Sequence, residues 1–301
     1  TSRSFACSTV RRITAPFAGS RRAGEELRET MDAQKKKSLQ AHCRNLRRNI
    51  IRMTHAAGSG HPGGSLSSVE ILVALYFHEM RHRVEEPEWA DRDRFVLSKG
   101  HGCPALYAVL AEAGYISPDL LTTLRKLDSP LQGHPDRRKF PLAEASTGSL
   151  GMGLSIGIGM ALGLARRKSP ARVFCLMGDG EMDEGQVWEA AMFAPARHLD
   201  NLVAIGDMNG AQNDDFVEKI LPQGDVPAKW RAFGWHVVEV DGHDVEKVAL
   251  ALEGLRDVKG KPKMIVAKTV KGKGVSFMEN VPGWHGQAPS DEQAAKALAE
   301  I

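Results

Sequence analysis

The residues with the clearest chemical potential are an aspartate and an asparagine that stand thirty positions apart. Asp179 lies in the tetrapeptide GDGE, directly after an apolar run at 172–177, and Asn209 follows a second such run at 201–205. Runs of this length and composition predict buried strands, and residues 184–197 have the length and composition of a crossover helix. A strand, a helix and a parallel strand bring both strand ends to one edge of a sheet, where α/β folds bind ligands.

The side-chain oxygens of Asp179 and Asn209 suit a hard cation such as Mg²⁺ or Ca²⁺. The glycines beside Asp179 let the backbone approach a diphosphate closely, and helix N-termini favour anions. The alternative interpretation is an ordinary βα turn in which Asp179 only caps a helix. We therefore expect a metal-assisted anion site at this edge of the sheet.

Four histidines stand in loops that are rich in glycine or proline. They are His61, His101, His134 and His285. A single loop histidine is usually solvated and inactive, but four in loops of this composition indicate a chemical role. Because imidazole exchanges protons near neutral pH, these loops are candidates for general acid–base chemistry.

The elements that must position these residues alternate between helix and strand. Predicted helices cover 35–57, 67–80, 104–113, 150–166, 184–197, 230–234, 245–255 and a segment from 290 onward, and predicted strands cover 94–97, 172–177, 201–205, 235–240 and 263–269. Ser67 or Ser68 is expected to cap the second helix, and the long loop at 128–149 is expected to bind a ligand. The alternation predicts an α/β fold with a doubly wound, mostly parallel sheet flanked by helices.

Charge and composition exclude several classes of partner. The chain has 301 residues, of which 42% are hydrophobic and 26% charged, with a net charge of +3. Beyond an arginine-rich opening, acidic and basic residues nearly balance, so we expect no nucleic-acid partner. The longest stretch of low charge, 143–165, contains Glu144 and many glycines, so we expect no membrane partner.

The composition of the N-terminal segment and the spacing of the cysteines bear on the cellular location. The first 24 residues contain five arginines and no acidic residue, which is typical of a transit peptide or of a disordered or mis-annotated tail. The four cysteines are scattered along the chain, at Cys7, Cys43, Cys103 and Cys175. Because this spacing indicates neither a disulfide framework nor a zinc site, it suits a reducing, cytoplasmic location.

Six motifs occur together in a characteristic order. They are GSGHPGGS at 58–65, FVLSKGHG at 95–102, LQGHPD at 131–136, STGSLGMG at 146–153, GDGEMDEGQ at 178–186 and GWHGQA at 283–288. Together with Asn209, they resemble the thiamine diphosphate enzymes. Within that group the chain is similar to transketolase, specifically to the N-terminal half of a transketolase made of two chains.

The resemblance implies a fold and a metal site. The diphosphate-binding (PP) domain of the thiamine diphosphate fold is expected over 35–290, between a basic, disordered tail at 1–34 and a C-terminal helix or linker at 291–301. The implied metal ligands are Asp179, Asn209 and the main-chain carbonyl of Ala211. Met208 departs from the family, which often has Asp or Asn there.

The resemblance also implies roles for other residues. His61, His101 and His285 match positions that contact sugar hydroxyls or shuttle protons, and His134 matches a position that binds the donor's hydroxyl groups. The implied cofactor contacts are His101, Asp179 and Asn209, together with the backbone amides of Gly151 and Gly180. Glu184 matches a glutamate that links two cofactor sites across a subunit interface, or is only a helix N-terminal acid. Lys268 and the lysines of 271–273 either attract anionic substrate or belong to a solvated loop.

The implied activity is transfer of a two-carbon ketol unit from a ketose phosphate to an aldose acceptor with thiamine diphosphate and Mg²⁺ or Ca²⁺. No part of the sequence resembles the pyrimidine-binding domain, so a partner chain is expected to supply it, in a heterotetramer of two chains of each kind. Two alternatives remain open. One is half of another thiamine diphosphate enzyme, such as a 1-deoxyxylulose-phosphate synthase or a 2-oxoacid dehydrogenase subunit, and the other is a scaffold that binds the cofactor without catalysis.

Overall fold

The computed structural model of the protein describes residues 30–301. Its centre is a sheet of five parallel strands in the order β1-β2-β3-β5-β4. The strands are β1 (Arg94–Leu97), β2 (Val173–Gly178), β3 (Leu202–Met208), β4 (His236–Asp241) and β5 (Lys263–Lys268). The predicted parallel α/β sheet is confirmed.

Helices cover both faces of this sheet. They are α1 (Ala33–Ala57), α2 (Pro62–Leu66), α3 (Val69–Ala74), α4 (Cys103–Glu112), α5 (Gly153–Arg166), α6 (Gly185–Ala196), α7 (Val217–Ile220), α8 (Val226–Ala232), α9 (Val245–Gly254) and α10 (Asp291–Glu300). Successive strand residues point to opposite faces, so alternate residues enter different cores. Phe174 and Leu176 pack with α1, α3, α4 and α9, whereas Cys175 and Met177 pack with α5, α6 and α8.

The helix predicted over 67–80 is observed as α3, which continues directly into a π-helical turn at Leu75–Glu79. Residues 67 and 68 lie in a turn between α2 and α3. The hydroxyl groups of Ser67 and Ser68 donate to the carbonyl of Gly64 (3.1 and 3.0 Å) instead of capping backbone amides. Such bonds from serine to backbone compete with regular helix, and here they end α2.

The strand predicted over 201–205 is longer than expected and starts at Leu202. Pairing with β2 and β5 continues through Asp207 and Met208, which lie opposite Gly178 and Lys268. Asp207 is therefore a fully buried strand residue. Asp207 stands two residues before the predicted metal ligand Asn209 in the chain.

The ends of the chain agree in part with the expectations. The expected tail at 1–34 lies mostly outside the described residues, and α1 already begins at Ala33, where Asp32 caps it by accepting from two backbone amides. Ser290 caps α10 in a capping box with Gln293. Within residues 30–301, no helix is both long and apolar enough to cross a membrane.

Candidate functional site

A cavity of about 250 Å³ lies at the carboxyl ends of β2 and β3, the sheet edge that the sequence indicates. It brings together most of the predicted site residues. They are His61, His101, His134, His285, Asp179, Gly180, Asn209 and Ala211. Lys99, Glu181 and Gln212 also line it, although the sequence analysis gave them no role. Lys271, for which the sequence left two alternatives open, lines it as well.

The predicted metal ligands are adjacent and tied to one another by backbone bonds. Asp179 accepts from the amides of Gly180 (2.8 Å) and Gly210 (2.5 Å), and the side-chain oxygen of Asn209 accepts from the amide of Ala211 (3.2 Å). Burial, and then the neighbouring Asp207 carboxylate, raise the pKa of Asp179 to about 6. A cation beside Asp179 would relieve this unfavourable burial of charge.

This donor set fits a cation that is shared with a ligand. Asp179, Asn209 and the carbonyl of Ala211 offer three oxygens, which is fewer than the six or more that Mg²⁺ or Ca²⁺ requires. Among the described residues, no three His, Cys, Asp or Glu side chains form a complete metal cluster. Phosphate oxygens of a bound ligand would fill the remaining positions.

A buried ion pair lies next to the predicted metal ligand Asn209. Lys99 and Asp207 are 1% and 0% exposed and bond directly to each other. Asp207 also accepts from Ser67 (2.6 Å), Asn209 (3.2 Å) and Thr269. Burial acts to raise the pKa of Asp207, but the Lys99 ammonium and the hydroxyl groups of Ser67 and Thr269 together outweigh it and hold this pKa below its ordinary value. The pair therefore fixes the orientation of the Asn209 amide.

The two backbone amides predicted to meet a diphosphate have protein acceptors in this structure. The amide of Gly151 donates to Glu181 (2.9 Å), and that of Gly180 donates to Asp179 (2.8 Å). Glu181 is 2% exposed and also accepts from Gly178 (3.1 Å) and the Ser98 hydroxyl. A contact of either amide with a diphosphate would have to be shared with these carboxylates. Glu181 connects three segments around the cavity.

Glu184 does not line the cavity. It is exposed at the start of α6, it makes no capping bond, and its Cβ lies against Gly151. The structure of one chain therefore leaves its predicted role at a subunit interface as a prediction.

Lys271 differs from the other lysines of its loop. It is 1% exposed, and its ammonium donates to the carbonyls of Ala211 (3.2 Å) and Gln212 (2.9 Å) and contacts Nδ1 of His285 (2.8 Å). Burial lowers the pKa of Lys271 to about 8. The solvated alternative is thus wrong for Lys271, whereas the side chain of Lys268 is 73% exposed.

The four histidines form one cluster. The ring centre of His61 lies 5.5 Å from that of His101, 6.1 Å from His134 and 5.3 Å from His285, and His101 stacks on His285 at 4.9 Å. The guanidinium of Arg125, to which no sequence motif pointed, reaches Nδ1 of His61 at 3.3 Å. These rings are close enough to act on one small substrate.

Burial is the main cause of low pKa values throughout this cluster, and nearby cations add to it. The pKa falls to about 4 for His61 and to about 3 for His285, and it is lowered for His134 and His101 as well. Arg125 contributes at His61 and Lys271 at His285. The imidazoles are therefore neutral at pH 7, so each can both donate and accept a hydrogen bond.

The low pKa of His61 makes stability depend on pH. As the pH falls from about 6.5 to about 4, the unfolded chain binds a proton that folded His61 excludes, so the folded state loses stability. We expect His61→Gln to lose less stability than the parent chain between pH 7 and pH 5. Urea-induced unfolding at both pH values measures this difference. An equal loss in the two proteins would contradict the low pKa.

Glycines leave no space between the segments that enclose the cavity. A methyl group at Gly153 would lie 2.7 Å from Cα of Ser98, and one at Gly100 would lie 2.7 Å from the amide nitrogen of Gly148. The segment at 98–100 thus packs against the segment at 147–153 with no space for a side chain at Gly100 or Gly153.

We expect Gly153→Ala to lower the free energy of unfolding by about 1–3 kcal/mol, because the added methyl group would lie within 2.7 Å of Oγ, Cβ and Cα of Ser98. Gly159→Ala, on the same helix and with open space around its Cβ, is the matched control and should stabilise the chain by up to about 1 kcal/mol. Chemical denaturation of both variants gives the comparison. If Gly153→Ala were as stable as Gly159→Ala, the segments would not be in close contact.

Comparison with known proteins now gives the family. The family model described as "Transketolase, thiamine diphosphate binding domain" matches residues 38–300. The chain is 44% identical over 263 residues to a 6-deoxy-6-sulfo-D-fructose transketolase subunit of Clostridium sp. (strain MSTE9), covering 87% of this chain and 96% of that protein. It is 40% identical over 264 residues to an apulose-4-phosphate transketolase subunit of Actinobacillus succinogenes, covering 87% of this chain and 95% of that protein.

Longer proteins are similar over part of their length. Human transketolase is 44% identical over 272 residues, which are 90% of this chain but 43% of that protein. The solved transketolase of Campylobacter jejuni superposes with a TM-score of 0.83 at 32% identity, covering 90% of this chain and 43% of that chain. The match covers most of this chain, and the site has the chemistry expected of a diphosphate–metal site, so the chain belongs to the transketolase family, through its thiamine diphosphate binding domain.

Proposed function

We propose that this chain is the diphosphate-binding subunit of a two-chain transketolase and transfers a two-carbon ketol unit from a ketose phosphate to an aldose. One observation carries the proposal. Three oxygen donors for a cation share a single cavity with four neutral imidazoles and a buried lysine. A metal-bound diphosphate and a polyhydroxylated substrate are the ligands that such a combination suits best.

The donors and Lys271 would hold the cofactor's diphosphate end. Asp179, Asn209 and the carbonyl of Ala211 would bind Mg²⁺, which small oxygen-lined sites with a phosphate ligand favour over Ca²⁺. The Lys271 ammonium, already at the carbonyls of Ala211 and Gln212, would add positive charge beside the phosphates. When bound, thiamine diphosphate supplies the carbon nucleophile of the reaction, and the protein supplies position and charge.

The histidine cluster would bind the sugar and move protons. His61, His101 and His285 lie within 5.5 Å of one another, ring centre to ring centre, so a chain of hydroxyl groups could contact all three. As neutral imidazoles they can accept a proton from one hydroxyl and donate to the next. His134 and Arg125 flank His61 and would bind the donor's remaining hydroxyl groups.

The partner would complete the cofactor site. Two relatives whose length this chain nearly spans are named as transketolase subunits, which supports a second polypeptide that carries the pyrimidine-binding domain. Leu162 on α5 and Met192 and Phe193 on α6 are exposed apolar side chains, and the exposed Glu184 immediately precedes α6. We take α5 and α6 as the candidate contact face. We propose that two copies meet through this face in a heterotetramer. Such an assembly would place Glu184 at the interface.

The metabolic pathway of the substrates and the cellular location of the chain are further parts of the proposal. Sugar phosphates of pentose phosphate metabolism are the proposed substrates, with rarer sugars, like those for which the two relatives are named, as the alternative. The cysteines that the structure describes, Cys43, Cys103 and Cys175, are buried and unpaired, which suits a reducing cytoplasm.

An assay of ketol transfer by the chain alone and with its pyrimidine-domain partner tests the proposal. We expect turnover only with both chains and with a divalent cation present. Tight cofactor binding without turnover would support the scaffold alternative. Decarboxylation of a 2-oxoacid would support the other enzyme class.

His101→Ala should lower turnover by about 10²–10⁴-fold, because an imidazole beside the sugar is lost. Cofactor affinity should remain nearly unchanged, since the metal ligands and Lys271 are retained. His198→Ala is the control, because His198 is exposed and does not line the cavity. Steady-state kinetics and calorimetry on the assembled enzyme measure both quantities. A full-rate His101→Ala enzyme would remove the proposed role.

A further inference from the structure

A second cavity, of about 530 Å³, lies at the start of β1, the opposite end of the strand from the candidate site. We call it the arginine cavity, because its wall contains Arg92, Arg94, Arg137 and Arg167. Its volume is in the range of small-molecule sites. Nothing in the proposed transketolase reaction uses it.

Positive charge exceeds negative charge around this cavity. The side chain of Glu144 is 9% exposed and serves two guanidinium groups, bonding to Arg92 and lying 3.7 Å from Arg94. Asp93 is already neutralised by Arg81 and Arg172, at 3.3 and 3.2 Å.

Two further cations add to this excess. Arg137 donates to the main-chain carbonyl of Glu144 (2.9 Å), and Arg167 takes part in no ion pair found among residues 30–301. Glu88, at the exposed rim, is the remaining acidic residue of the wall. The cations are thus only partly balanced.

Two observations favour the binding of an anion in the arginine cavity. Nε of Arg92 is buried and has no hydrogen-bond partner in the described part of the chain, which is unfavourable for a charged donor. Burial, together with the repulsion of Arg92 and Arg167, lowers the pKa of Arg94. A bound anion would satisfy the donors and relieve the repulsion.

Part of the cavity lining is apolar. Tyr76, Phe95, Leu142 and Leu164 contribute to it. A ligand that matches both the cationic and the apolar lining has a compact apolar or aromatic body with one anionic group. We propose that the arginine cavity binds a small organic anion of this kind, with a phosphate or carboxylate as its charged group.

Binding of an anion in the arginine cavity would act on the loop that carries His134 of the candidate site. Arg137, Leu142 and Glu144 belong to the same loop as His134, and that loop closes on itself through bonds from Arg137 to Ser146 (3.0 Å) and from Thr147 to Pro135 (3.2 Å). An anion that competes with Glu144 for Arg92 would therefore act on the segment that carries His134.

Calorimetric titration of the full chain with phenyl phosphate tests the proposal, with inorganic phosphate as a second probe. We expect phenyl phosphate to bind and inorganic phosphate to bind more weakly, because it makes no apolar contact. Because Arg167 is exposed, Arg167→Gln should weaken the binding of phenyl phosphate by about two- to fivefold, as expected for one lost ionic contact. Arg166→Gln, the neighbouring arginine outside the cavity wall, should have no effect.

A steric variant gives an independent measurement. Gly163 lines the cavity, has open space around its Cβ and lies within α5, so Gly163→Leu should fill the cavity while keeping or raising helix stability. We expect it to abolish binding with an undiminished melting temperature. If Gly163→Leu unfolds the chain, the comparison of Arg167→Gln with Arg166→Gln decides the proposal.

Three outcomes would overturn the proposal. They are the absence of binding at millimolar phenyl phosphate, equal affinity in the two arginine variants, and binding that is lost in Lys271→Gln but kept in Arg167→Gln. The last result would place the probe in the candidate site instead. Equal affinity for inorganic phosphate would overturn the part assigned to the apolar lining.

Discussion

Asp179→Ala abolishes metal-dependent binding of thiamine diphosphate; this is the largest effect on the site that we expect. The carboxylate is one of only two side-chain oxygen donors for the cation, and its own bonds to the amides of Gly180 and Gly210 hold the loop in place. Calorimetry of the cofactor with and without Mg²⁺ measures the effect. In the variant, the two titrations should be the same.

The control for this experiment is Asp214→Ala. Asp214 is an exposed acid in the loop that follows Ala211, and among the bonds of residues 30–301 its side chain accepts only from its neighbour Asn213. It should bind the cofactor like the parent chain. Metal-dependent binding that survives in Asp179→Ala would refute the assignment of the metal ligands.

Lys99→Met should have the largest effect on stability. It leaves the carboxylate of Asp207, which is 0% exposed, without its countercharge, and breaking a buried ion pair in this way typically lowers the free energy of unfolding by about 3–5 kcal/mol. Denaturant unfolding measures the loss. Lys268→Met is the matched control. Lys268 ends β5, which pairs with the strand of Asp207, and its side chain is 73% exposed.

The double variant Lys99→Met/Asp207→Asn separates charge from packing. It removes both charges while the asparagine can still bond Ser67 and Thr269, so we expect much of the lost stability to return. If the double variant were no more stable than Lys99→Met, the unpaired carboxylate would not be the cause.

Short apolar runs were sufficient to predict the sheet and its ligand-binding edge. Each run at 172–177 and 201–205 is buried on both faces of a parallel sheet, so its composition directly reflects its position. The edge at which Asp179 and Asn209 meet follows from the parallel connection alone. The order of β5 and β4 in the sheet does not, because nothing local in either strand specifies its neighbour.

Contacts between distant segments were what the sequence could not show. Lys99 and Asp207 pair across 108 positions, and Ser67 bonds Asp207 across 140. Propensity favoured a helix that begins at residue 67, but the bonds of Ser67 to Gly64 and Asp207 keep this residue in a turn before α3. Likewise, Lys271 looked like part of a basic loop, and only its contact with the carbonyl of Ala211 reveals a buried position. A signal existed in one case: Lys99 lies two residues after the end of the apolar strand β1.

The close meeting of glycines around the cavity limits how new substrate preferences can arise. Because Gly153 faces Ser98 and Gly100 faces Gly148 with no room for a methyl group, laboratory evolution cannot reshape the pocket by randomising those positions. Libraries aimed at another sugar should spare these tightly packed glycines and vary Gln212 and Asn213, which also line the pocket.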